Sequence, residues 1–250
     1  MSPAPDNPIS TLKAISTPAP ILCYVTDRRS LATGGNDACV DLLQNIRAAI
    51  AAGVDWIQIR EKDLLAQDLL ALVRQTVSAS EPQNDPEDTS PPRSQRARTK
   101  VIVNDRLDVA IAASAAGVHL GRESAPMHEV VRWCRNGNAP QKFMIGASCH
   151  SLTEVCEAES GGASYVILGP IFDTPSKRAF GQPVGIARLS MICAAVKIPV
   201  LAIGGVDMHN APDCLRAGAA GTAAIRMFQD AGDVGKLGDA IELLRESKLR

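Results

Sequence analysis

Gln58, Arg60 and Lys62 alternate along Gly53-Val-Asp-Trp-Ile-Gln-Ile-Arg-Glu-Lys-Asp63, with Ile57 and Ile59 between them. In a β-strand that period of two puts the amide and both cations on one face and the isoleucines on the other. Arg offers a planar donor fork and Lys a point charge, so the pair at a strand's end suits a phosphate group. A solvated edge strand with a charged end is the plainer alternative.

Comparable groups recur downstream. Asn104-Asp105 closes the apolar run Val101-Ile-Val. Asp105 is a hard oxygen ligand suited to Mg²⁺ and Asn104 can hold a phosphate oxygen, although Asp105 serves equally well as a helix cap. Ser148 and His150 end Phe143-Met-Ile-Gly-Ala-Ser148-Cys-His150. A lone histidine there fits a hydrogen-bonded scaffold role more readily than that of a base, and His119, inside an apolar run, reads as structural. Cys149 has no triad partners nearby, which argues against a nucleophile. Thr174, Ser176 and Lys177 set two hydroxyls and a cation on a Gly/Pro-flanked loop, fit for a phosphate lid or for plain solvation. Gly204-Gly205 can bring backbone N–H groups close to an anion, or simply make a tight turn. The amides around Ala223-Ala-Ile225-Arg226 precede a short helical segment that could complete a phosphate cradle.

The elements that must position these groups follow one rhythm. Strands are predicted at Ile21-Leu-Cys-Tyr-Val-Thr26, the opening stretch, and the runs beginning at Val101, Gly117, Phe143, Ser164, Pro199 and Gly218. A helix capped by Asn36 or Asp37 is expected through Val40, Leu43, Ile46 and Ile50 to a stop at Gly53. Further helices are expected at 64–79, up to 116, at 125–135, after a capping box at Ser151-Leu-Thr-Glu154, up to 197, up to 217, and at 232–249. About eight strand–helix units with apolar strands point to a single-domain α/β fold, a (β/α)8 TIM barrel spanning 21–250. A doubly wound open sheet would want a Gly-rich turn after strand one, and Thr26-Asp-Arg-Arg-Ser30 is not one. Residues 1–20, rich in Pro, Ser and Ala, read as a flexible tail, and 81–99 as an exposed, disordered insertion.

Composition narrows the function. Lys+Arg number 26 against 27 Asp+Glu, for a net charge of -1, which argues against a broad nucleic-acid or membrane footprint. The seven cysteines are odd in number and lack a CxxC pair, so structural disulfides or zinc are not expected and a cytoplasmic setting is. Neither a signal peptide nor a membrane-spanning run is visible. The expected partners are small phosphorylated molecules, with a homo-oligomer left open.

Six motifs together carry a resemblance. Gln58-Ile-Arg60-Glu-Lys62, Asn104-Asp105-Arg106, Gly117-Val-His119-Leu-Gly121, Gly146-Ala-Ser148-Cys-His150, Gly169-Pro-Ile-Phe-Asp-Thr174-Pro-Ser176-Lys177 and Ala202-Ile-Gly-Gly205 occur in the order seen in thiamine phosphate synthases. The similarity runs from Ile21 to the C-terminus outside the insertion. It implies a (β/α)8 transferase of thiamine biosynthesis that joins a hydroxymethylpyrimidine diphosphate to a thiazole phosphate, releasing pyrophosphate. By position it implies that Arg60, Lys62, Asn104, Ser148 and Lys177 hold the diphosphate, with Arg60, Lys62, Lys177 and Ser148 acting in catalysis. Gln58 would contact the pyrimidine and Asp105 would bind Mg²⁺. Thr174, Ser176, Gly205, Ile225 and Arg226 would surround the thiazole phosphate.

Two departures stand out. The family usually has Gly-Gln-x-Asp after strand four, its Asp a second metal ligand, where this chain reads Gly121-Arg122-Glu123-Ser124, leaving Glu123 as the nearest carboxylate. Strand eight usually ends Ile-Ser, here Ile225-Arg226. A sister group, the thiazole tautomerases, also lacks that Asp and uses the His matching His150 as an acid/base group. The resemblance therefore has a tautomerase alternative, and a non-catalytic phosphate-binding barrel is a third reading. Retention of Arg60, Lys62, Asn104, Asp105 and Lys177 favours the synthase.

Overall fold

Eight parallel strands pair with their neighbours in sequence order, and the first closes on the last, so the open-sheet alternative is excluded. The strands are β1 (Ile21–Val25), β2 (Trp56–Ile59), β3 (Lys100–Asn104), β4 (Gly117–Leu120), β5 (Met144–Cys149), β6 (Tyr165–Leu168), β7 (Val200–Ile203) and β8 (Gly221–Ala224). This computed structural model describes residues 19–31, 37–81, 98–174, 182–230 and 234–247. The expected tail and the expected insertion lie outside the described residues except at their ends. So do Ser176 and Lys177.

Helices alternate with the strands: α1 (Ala38–Ala52), α2 (Ala66–Ala79), α3 (Leu107–Ala112), α4 (Met127–Trp133), α5 (Leu152–Ser160), α6 (Gly185–Ala195), α7 (Ala211–Arg216), α8 (Arg226–Gln229) and α9 (Val234–Ser247). In α1 the Asp37 carboxylate accepts from Cys39 N, and Leu42, Ile46 and Ala49 recur at helical spacing to form its buried face. The helix ends at Gly53, whose φ of 90° is a conformation only glycine adopts cheaply. At α5 the Ser151 hydroxyl accepts from Glu154 N as expected. The reciprocal half of the capping box differs, because the Glu154 carboxylate accepts from His150 N, one residue before the cap.

Closure divides the core in two. Alternate residues such as Leu22, Tyr24, Ile57, Ile59, Val101, Val103, Val166 and Leu168 pack outward against the helices. Cys23, Val25, Trp56, Ile102, Tyr165, Ile167, Leu201 and Ala223 fill the lumen. At the seam, Arg245 of α9 donates to Gly53 O and Asp55 Oδ1, while Asp55 Oδ2 accepts from Leu22 N. The last helix is thereby tied to the ends of α1 and β1.

The lumen is tight. Tyr165 is 1% exposed, with its ring edge-on to Trp56 at a centroid distance of 4.7 Å. It fits only because β5 carries glycine beside it: a Cβ at Gly146 would lie 2.5 Å from the phenolic oxygen. Gly146→Ala should therefore displace the ring and destabilise the barrel by about 1–3 kcal/mol, read as a lowered urea midpoint at unchanged slope.

Candidate active site

Strand parity puts a polar layer on top of the apolar lumen. Gln58 pairs in register with Val25 and Ile102, both lumen residues, so it points inward, and it is 3% exposed. Asn104, His119 and Gly146 share a register row, and Ser148 pairs with Ile167. These side chains meet. Gln58 Nε2 donates to Asn104 Oδ1 at 3.1 Å, and His119 Nε2 lies 2.9 Å from Ser148 Oγ. The Oε1 of Gln58 is buried, an acceptor facing inward without a partner among the described residues. Ser148 stands exposed at the rim.

The expectation that Gln58, Arg60 and Lys62 share one strand face holds only in part. β2 ends at Ile59, and a turn closed by Leu64 N to Glu61 O follows, so the alternation does not reach Lys62, which is exposed. Arg60 is half-buried, and its charge reaches His119.

The turn is held by a network that sequence reasoning missed. The fully buried Thr26 hydroxyl donates to Glu61 Oε1 at 2.6 Å and accepts from Arg60 N at 2.9 Å. Glu61, 5% exposed, also accepts from Arg28 N and from Arg28 Nη1 at 3.0 Å. Arg28 forks onto both oxygens of Asp63 at 2.6 Å, which holds that carboxyl well below its usual range. Gln229 of α8 accepts from Ser30 and donates to Asp27 O, joining the last strand's exit to the first. The available signal was the charge run Asp27-Arg-Arg29 facing Glu61-Lys-Asp63, but spacing alone could not pair them.

Asp105 follows β3 with φ of 66°, an uncommon conformation for a non-glycine residue and one that Asp tolerates better than most. It is fixed by its own N–H on His119 O and by turns from Arg106 N to Asn104 O and Leu107 N to Asp105 O. Such strain clusters at functional positions. On the next loop Ser124 turns its hydroxyl back to accept from Gly121 N at 2.8 Å, closing that turn, and Glu123 is exposed beside it. Among the described residues no three His, Cys, Asp or Glu side chains gather closely enough to hold a metal by themselves.

The loops after β6 and β7 are laced together, with Ile171 N and Phe172 N donating to Ile203 O and Gly204 O. Gly204 (φ 92°) and Gly205 (φ 67°) take conformations that disfavour side chains, and a Cβ on Gly204 would strike Pro170 at 2.6 Å. His150 Nδ1 donates to Gly169 O. Cys149 is buried, facing the helices, and burial pushes its thiol up to about 12, far from a nucleophile. Thr174 is buried at the end of the described loop. Ile225 packs against the lumen cluster, and exposed Arg226 begins α8. A shallow surface groove between α1 and α9, lined by Ala51, Gly238, Glu242 and Leu243, has no comparable set of convergent donors.

Fold and rim together define a (β/α)8 barrel whose polar groups gather at the strand C-termini, where such barrels carry their active sites. The chain belongs to the thiamine monophosphate synthase family, whose model matches residues 22–228. It is 43% identical over 188 residues to a thiamine-phosphate synthase of Methanoculleus marisnigri, covering 75% of this chain and 80% of the relative. Identity to the thiamine-phosphate synthase of Roseiflexus sp. RS-1 is 34% over 230 residues, 90% of this chain and 87% of the relative. The solved thiamine phosphate pyrophosphorylase of Pyrococcus furiosus superposes with a TM-score of 0.72 at 30% identity, covering 92% of this chain and 97% of its own.

Two outcomes are expected. Glu61→Ala strands Thr26 and Arg28 and should cost about 2–4 kcal/mol by denaturant unfolding. His119 is held down to about 3, by burial first and the Arg60 charge second. The folded chain keeps it neutral while the unfolded chain takes up a proton below its ordinary 6.5. Stability should therefore fall as pH drops from about 6.5 towards 3, by up to about 1.4 kcal/mol per pH unit from this residue. Urea titrations at pH 7 and pH 5 check it, since His119→Gln should lose less over that interval than the parent.

Proposed function

We propose that this protein is a thiamine phosphate synthase, a transferase that couples a hydroxymethylpyrimidine diphosphate to a thiazole phosphate and releases pyrophosphate. Family membership supports the reaction. The observation that carries it to particular residues is the polar layer made by the hydrogen-bonded pairs Gln58–Asn104 and His119–Ser148. The unpaired Oε1 of Gln58 suits an N–H donor such as an aminopyrimidine supplies. Ser148, Asn104, Arg60 and Lys62 then surround the diphosphate, joined by Lys177. Thr174, Ser176, Gly205 and the Ile225-Arg226 backbone take the thiazole phosphate.

The carbon–oxygen bond to the diphosphate breaks with its electron pair going to oxygen. The thiazole nitrogen lone pair then forms the new carbon–nitrogen bond, and no proton has to move. Negative charge builds on the leaving oxygens, so Arg60, Lys62 and Lys177 act there by electrostatic stabilisation. Mg²⁺ belongs to the same reading. It is commonly held by one or two carboxylates plus substrate phosphates, and a rim offering Asp105, without a three-ligand cage among the described residues, would fit a metal held partly by the diphosphate. When bound it would supply positive charge to the leaving group. Seven free thiols support a cytoplasmic setting, and among the described residues no helix is long and apolar enough to cross a membrane.

Incubation with both substrates and Mg²⁺ tests the assignment. Thiamine phosphate and pyrophosphate should form in equal amounts, and Arg60→Ala should lower kcat by about 10²–10³. A folded sample that makes neither product refutes it. Isomerisation of a thiazole carboxylate phosphate, lost in His150→Ala, would replace it with the tautomerase reading.

A further inference from the structure

The lumen contains a polar chain of which the reaction as drawn uses only the Ser148 end. Tyr165 Oη lies 3.2 Å from His119 Nδ1, and His119 Nε2 lies 2.9 Å from Ser148 Oγ. Tyr165 and His119 are each 1% exposed, whereas Ser148 opens to the rim. We propose that this chain runs in one direction, Tyr165 to His119 to Ser148, and fixes the Ser148 hydroxyl as a hydrogen-bond donor to the anion bound in the mouth.

The direction follows from satisfying every buried group. If His119 carried its proton on Nδ1, it would donate to the phenolic oxygen, and Ser148 would spend its hydrogen on Nε2. The phenolic hydrogen would then have no acceptor, because the Tyr165 hydroxyl has no hydrogen-bond partner other than His119 among the described residues. Folded interiors avoid such orphaned donors. With the proton on Nε2, Tyr165 donates to Nδ1 and Nε2–H donates to Ser148 Oγ. Only the Ser148 hydrogen is left over, and it is the one facing the rim.

The consequence is electrostatic. A freely rotating serine can turn a lone pair or a hydrogen toward a ligand. Diphosphate oxygens only accept, so a hydroxyl already committed as a donor needs no reorganisation when the ligand binds or as charge grows on it. Tyr165 and His119 are thus positioning residues, and Gly146, which makes room for the phenol, is part of the device. The inference rests on the diphosphate reading for its ligand, but not for the orientation of the chain.

The test separates the two. Long-range ¹H–¹⁵N spectra of the histidine-labelled protein, with His119 assigned through His119→Gln, should show the Nε2-protonated tautomer. The Nδ1-protonated form overturns the proposal. By calorimetry with inorganic pyrophosphate and Mg²⁺, Ser148→Ala should weaken binding about tenfold. Tyr165→Phe, which keeps the ring packing, should weaken it about threefold in the parent yet change nothing in the Ser148→Ala background. Equal effects in both backgrounds would mean a merely structural tyrosine and would also overturn the proposal. Failure of the parent to bind pyrophosphate refutes the diphosphate reading, while the spectrum still decides the orientation.

Discussion

Closure of β1 on β8 is the constraint on which everything else in this barrel depends. Once the sheet is closed, every second side chain must enter a lumen of fixed width. That converts a period of two in sequence into a sorting rule between helix-facing and lumen-facing residues. The rule explains why glycine faces tyrosine across β5 and β6, and why Trp56 and Tyr165 meet edge-to-face at the centre. It also explains why polar residues at the C-terminal ends need no external partner to converge. Their parity already points them at one another.

The lumen changes character along its axis. Trp56, Ile102, Tyr165, Ile167 and Leu201 make an apolar floor, and Gln58, Asn104, His119 and Ser148 lie above it. A polar layer on a low-dielectric floor is costly unless its members satisfy each other. Here they do, apart from the Gln58 oxygen. The fully buried His119 stays neutral for the same reason. Arg60 can then stand next to it without a second positive charge competing for the same space.

Rigidity at the rim comes from the buried hydroxyl of Thr26 and the carboxylate of Glu61, which tie the exits of β1 and β2 together. Surface ion pairs are individually worth little. Glu61 differs because it is buried and meets three donor groups, and Arg28 extends the contact to Asp63 with ideal fork geometry. On the opposite side, Ser124 closes its own loop instead of reaching out as a carboxylate would. Among the described residues the rim is thus rich in fixed donors, and no three metal-ligating side chains gather there.

The sequence alone determined the strand–helix rhythm, the stop at Gly53, and the placing of Asn104, Asp105, Ser148 and Gly205 at strand ends. Each follows from local periodicity or backbone preference, which survive without knowledge of distant residues. Family motifs added roles that periodicity could not supply. Tertiary structure alone decided that β2 stops before Lys62, that Glu154 reaches His150, and that Glu61 is a buried hub. It also decided that His119, which read as merely structural, touches Ser148 directly. The Glu61 and His119 contacts join residues 35 and 29 positions apart, and the register of a closed sheet brings them within hydrogen-bond range.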